Sequence, residues 1–192
     1  MIDLPPESLQ VQEQVIETSM QNCGMETADF IIQYEDILQG FEILIRDGAG
    51  VDASQFPCIH EATRGQFVSF ENEGMQSAYS DYSYELIRPV ILQSAEKELR
   101  KLKLLKSFPN RADYEDDLQF AKALERLCDV EPGSALKKFH GKIALMPDRE
   151  LSFQAFNSKY GCLMAALQFA SARNEIDYVF VGNGAFREAP GK

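Results

Sequence analysis

The chain has 192 residues, 45% apolar and 26% charged, which suits a folded domain with a real core and argues against wholesale disorder. Its formal net charge is −11, unevenly spread: residues 1–85 hold 16 Asp/Glu against 2 Lys/Arg (net −14), and residues 86–192 hold 14 against 17 (net +3). So acidic a first half repels phosphate backbones, which disfavours nucleic acid as its partner and favours a protein with a basic surface. No run approaches the roughly 20 apolar residues of a membrane span, and the start Met1-Ile2-Asp3-Leu4-Pro5-Pro6-Glu7 lacks the basic and apolar regions of a secretory signal. Cys23, Cys58, Cys128 and Cys162 are widely separated without a paired spacing, which reads as scattered thiols in a reducing compartment. The expected location is therefore cytoplasmic.

Taken in chain order, Pro5-Pro6-Glu7 reads as a helix start. The following run keeps Glu13 and Glu17 on one side and Val15, Ile16 and Met20 on another, up to a stop at Cys23-Gly24. A second helix is expected over 27–46, with Phe30, Tyr34, Ile37, Leu38, Phe41, Leu44 and Ile45 on its main apolar face and Ile32 and Ile43 opposite, ending at Asp47-Gly48-Ala49-Gly50. Residues 47–76 are irregular apart from a short strand at 66–70. Helix resumes near Ser77–Ser80, is interrupted at Pro89, and continues from Val90 to Lys106 with Lys97, Arg100, Lys101 and Lys103 on its polar side.

Further helices are expected from Asn110 to Cys128, from Pro132 to Gly141, and from Asp148 to Arg173, the last with a dense arc of Phe153, Phe156, Tyr160, Leu163, Met164 and Leu167. Residues 176–181 read as a strand before the turn Gly182-Asn183-Gly184. The fold expected is mainly α: one domain over 1–192, a compact bundle of about six helices, with room for a minor two-stranded β element from 66–70 and 176–181. No internal repeat is legible.

Catalytic residue types gather only at Cys58, His60 and Glu61. A cysteine nucleophile needs a base in reach, and His60 is near Cys58 in sequence only, so this trio is a weak candidate for a small hydrolase or transferase. No metal site is expected, because Cys58-x-His60 has no second pair of ligands, and no cofactor is implied. Asp117 falls on an apolar helical arc, where a salt bridge to a Lys or Arg is the expected remedy. The basic run Lys97 to Arg111 is expected to lie along the acidic half in surface ion pairs.

The function expected is that of a binding or inhibitory protein, of the immunity or antitoxin kind, whose acidic half engages a basic protein. The residues expected to carry it are Glu13, Glu17, Glu35, Asp36, Glu42, Asp47 and Asp52, with Tyr82 and Tyr84 as anchors.

Overall fold

In the computed structural model, residues 8–147 and 151–180 are described. The chain divides into two units, Met1–Leu86 and Ile87–Lys192. Each has its own hydrophobic cluster. The division falls where the charge changes sign. The first unit carries the net −14 and the second the net +3.

Unit 1 opens with α1 (Leu9–Asn22), capped by Ser8, whose hydroxyl accepts from the Val11 amide. It continues into β1 (Phe30–Glu35) and β2 (Gly40–Ile45), then the short helix α2 (Phe56–Ala62) and β3 (Phe67–Phe70). The helix expected over 27–46 is therefore an antiparallel hairpin. Its apolar residues alternate: Phe30, Ile32 and Tyr34 face inward from β1, and Phe41, Ile43 and Ile45 from β2. Period two accounts for Ile32 and Ile43, which a single helical face could not absorb. Gln39, with φ of 51°, turns the chain into Gly40, where a Cβ would stand 3.3 Å from Gln66 Oε1. That oxygen accepts from the Phe41 amide at 2.7 Å. β3 joins β2 in parallel, completing a sheet in the order β1-β2-β3.

The inner sheet face packs on Ile16 and Met20 of α1, Phe56 and Ile59 of α2, and Tyr79 of the next helix, α3 (Glu73–Lys101). α3 runs past the unit division and contains Pro89, which lacks the amide hydrogen of an ordinary helical residue. Its residues Ala95 and Leu99 belong to the core of unit 2.

Unit 2 contains α4 (Asp117–Leu127), β4 (Leu136–Phe139), β5 (Lys142–Leu145), α5 (Phe153–Ala172) and β6 (Tyr178–Phe180). β4 falls where a helix is expected and pairs with β5 in an antiparallel hairpin, and β6 joins β5 in parallel. Among the described residues helix exceeds strand, and the strands form two three-stranded sheets. The segments expected as one two-stranded element do contain strands, yet these lie in different sheets. The turn at 182–184 and the helix start at 5–7 lie outside the described residues.

The two units repeat one pattern: helix, antiparallel hairpin, helix, and a strand parallel to the second strand of the hairpin. Cys23 closes α1 and Cys128 closes α4, the helix that precedes the hairpin in each unit, and each is followed by a residue of positive φ, Gly24 or Asp129. Each is bonded to a cysteine in the second helix. Cys23 joins Cys58, 35 residues on, and Cys128 joins Cys162, 34 residues on, both with Cα atoms 5.6 Å apart. The repeat is one of topology and crosslink; its strands and helices differ in sequence, which is why periodicity in the chain does not reveal it.

Among the described residues no helix is long and apolar enough to cross a membrane.

Candidate functional site

The trio Cys58, His60 and Glu61 lies on α2, a helix and not an extended segment. Cys58 Sγ is bonded to Cys23, so it offers no thiolate, and the reading of all four cysteines as free thiols is overturned with it. His60 stacks edge-on against Tyr82, and Glu61 pairs with Arg64 one turn on. The three do not converge on a reaction centre. Beside the disulfide, an open cavity of about 790 Å³ lies between α1 and α2, lined by Val15, Ile16, Ser19, Pro57 and Ala62 among others. No group of His, Cys, Asp and Glu among the described residues is placed to hold a metal ion.

The acids expected to bind a partner separate into three sets. Glu13 and Glu17 stand on α1, and Glu17 Oε1 accepts from the Thr27 hydroxyl at 3.2 Å. Asp47 and Asp52 shape the loop after β2. Asp47 Oδ1 accepts from Asn72 at 2.8 Å, and Asp52 caps the turn Ala53–Gln55 by accepting from the Ser54 amide at 2.7 Å. The Ser54 hydroxyl and amide hold the Asp52 carboxyl below the usual carboxylate range.

Glu35, Asp36 and Glu42 form the third set, and the hairpin brings them to one place. Antiparallel register sets Ile31 beside Leu44 and Gln33 beside Glu42; parallel register sets Glu42 beside Phe67 and Leu44 beside Ser69. These residues face away from the helices, and none belongs to the unit 1 core. Gln33 donates to Glu35 Oε1 at 2.7 Å, and the Ser69 hydroxyl donates to Glu42 Oε1 at 3.1 Å, which fixes both carboxylates along the open face. At the tip Ile37 is 93% exposed, and Leu38 beside it is exposed too. The helical reading put both among buried residues.

Of the two anchors, Tyr82 is half-buried in a cluster with Phe56, His60 and Tyr79. It serves the core of unit 1 more than a surface. Tyr84 is half-buried on α3. Burial pushes the Tyr79 hydroxyl up from its ordinary pKa.

Unit 2 holds two features that the sequence conceals or half conceals. Asp117 accepts from Arg111 Nη2 at 2.8 Å and Nε at 3.1 Å, the salt bridge its position calls for. Glu125, fully buried, accepts from the amides of Gly133, Ala135 and Leu136. Of the basic run, Arg100 and Lys101 pair within α3 with Glu96 and Glu98.

In comparison with known proteins, no family model matches the chain, and neither a curated protein nor a solved structure does.

Proposed function

We propose that the protein is a binding or inhibitory protein, of the immunity or antitoxin kind, whose unit 1 engages a basic protein partner. The observation that carries the reading is the coincidence of the charge boundary with the structural one. A net charge of −14 resides on one folded unit, whose basic residues are Arg46 and Arg64, and Arg64 is paired with Glu61. A unit so charged accelerates encounter with a cationic surface and competes for it, and the effect reaches about one Debye length, roughly 8–10 Å at physiological salt.

Catalysis by the Cys58 thiol finds no support, since its sulfur is already bonded. The two crosslinks also favour an oxidising compartment over the cytoplasm as the place where the partner is met.

Affinity capture from native extract, under oxidising conditions and at low and moderate salt, tests the reading. The control is the full chain with Glu35, Asp36, Glu42, Asp47 and Asp52 changed to the amides. The expected result is a basic protein retained by the wild-type chain, released by salt and lost with the control. Capture of nothing, or equal capture by both chains, overturns it.

A further inference from the structure

We infer that the β1–β2 hairpin of unit 1 and the open face of its sheet form the docking element, and that its occupant is a cationic protein segment carrying apolar side chains between its Lys or Arg residues. This rests on the reading of unit 1 as an acidic binding module and gives that module a surface.

The hairpin tip is built to display apolar side chains. A hairpin needs only two turn residues, and the equivalent hairpin of unit 2 uses His140 and Gly141, both at positive φ. In unit 1 the connection is Asp36-Ile37-Leu38-Gln39, and it leaves Ile37 93% exposed. An isoleucine held in water forgoes the free energy that burial would return. Large apolar residues displayed together in this way mark an interaction surface.

The tip continues into a strip across the open sheet face. Ile31 is 40% exposed and Phe67 46%, with half-buried Leu44 beside Ile31. Apolar and acidic residues alternate along this strip: Glu35 and Asp36 stand at the tip, the pair Gln33 and Glu42 separates the tip from Ile31 and Leu44, and Glu42 lies beside Phe67. Arg46, after β2, is the cation nearest in sequence to this face.

Charge complementarity selects the occupant. Phosphate-bearing polymers and anionic lipid surfaces are repelled by these carboxylates, whereas a segment with alternating cations and apolar side chains matches the alternation of acidic and apolar residues on this face. The corresponding hairpin in unit 2 carries Lys137, Lys138 and Lys142 and the turn His140-Gly141, so the two hairpins differ in charge and in their tips.

The test uses the full ¹⁵N-labelled chain at 150 mM salt and two synthetic peptides of equal charge, one alternating lysine with serine and the other lysine with leucine. The lysine–leucine peptide should bind about tenfold tighter, and its amide shifts should centre on residues 31–44 and 67–69. Ile37→Ser, at so exposed a position, should leave the melting temperature unchanged. It should shrink the preference to about threefold or less and leave lysine–serine affinity as it was. Glu13→Gln/Glu17→Gln should preserve the preference. Shifts centred on the α1–α2 cavity, or a preference that survives Ile37→Ser, overturn the docking element while leaving the acidic-module reading in place. So does concentration-dependent self-association in sedimentation that Ile37→Ser removes, which would make the occupant a second copy. Failure of both peptides to bind at any salt overturns the acidic-module reading itself.

Discussion

The buried carboxylate of Glu125 accepts a 2.8 Å hydrogen bond from the Ala135 amide, ten residues further along the chain. The same side chain accepts from the amides of Gly133 and Leu136, so one group organises the whole passage from α4 into the hairpin of unit 2. Two buried amides and one half-buried amide would otherwise lack partners, the buried ones each at about 1–3 kcal/mol. Glu125→Ala is expected to destabilise unit 2 by about 3–5 kcal/mol, and Glu125→Gln, which keeps one acceptor oxygen but turns an NH₂ group toward amide donors, by about 2 kcal/mol. Denaturant unfolding followed by the tyrosine signal of each variant checks the order; equal stability of wild type and Glu125→Ala would show that the loop is held by other means.

The paired cysteines give a second prediction. Peptide mapping without reductant should recover Cys23 linked to Cys58 and Cys128 linked to Cys162, with no free thiol to label. On the chain-entropy account, closing loops of 35 and 34 residues contributes about 4 kcal/mol each, and measured contributions are typically about 2–4 kcal/mol. Cys23→Ser/Cys58→Ser should therefore lower the stability of unit 1 by that amount and leave unit 2 near its wild-type value. Free thiols in protein isolated without reductant would remove the argument for an oxidising compartment.

Why some of this is legible in the chain and some is not follows from particular residues. α5 is legible because Phe156, Tyr160, Leu163 and Leu167 repeat at helical spacing over a long run, and residues 67–70 and 178–180 are legible as short apolar strands. Over 27–46 the apolar residues are dense enough to satisfy both periods. What decides is the turn at Gln39-Gly40 together with tertiary pairing to β3, and neither has a strong local signature. The same ambiguity hid the candidate surface: Ile37 counts toward a buried face in a helix and becomes the tip of a hairpin in a sheet. Cysteines 35 and 34 residues apart carry no spacing signal, because their partners are chosen by the fold. Glu125 reads as one more helical acid; only the return of the 133–136 backbone distinguishes it.

Tyr79 predicts the alkaline behaviour of unit 1. Burial among Phe56, Phe70 and Tyr82 raises its folded-state pKa above the ordinary value near 10. A raised folded pKa means that the neutral hydroxyl is favoured by folding. The contribution is complete below pH 10 and is lost as pH climbs from there through the folded pKa, because the unfolded chain ionises first. In an absorbance titration at 295 nm a late tyrosine ionisation should appear, and Tyr79→Phe should remove that late step and flatten the stability loss above pH 10. A uniform titration of all seven tyrosines would contradict this.

Glu175 predicts an opposite use of acid. Its side chain is 14% exposed, and desolvation raises its pKa although the Arg173 guanidinium, 2.8 Å away, acts to lower it. The second carboxylate oxygen, Oε2, is buried without a hydrogen-bond partner. With the folded pKa raised, ionisation at neutral pH opposes folding. That cost disappears as pH falls through the folded pKa to the ordinary glutamate value near 4.3, so on this account unit 2 gains stability on mild acidification. Glu175→Gln removes the charge and keeps the shape. It should raise the melting temperature of unit 2 at pH 7 and leave little difference from wild type near pH 4, where both side chains are neutral. Arg173 is half-exposed, so losing its ion pair subtracts only a little from the gain. A variant that melts lower than wild type at pH 7 would mean that the pairing with Arg173 outweighs the desolvation of the carboxylate.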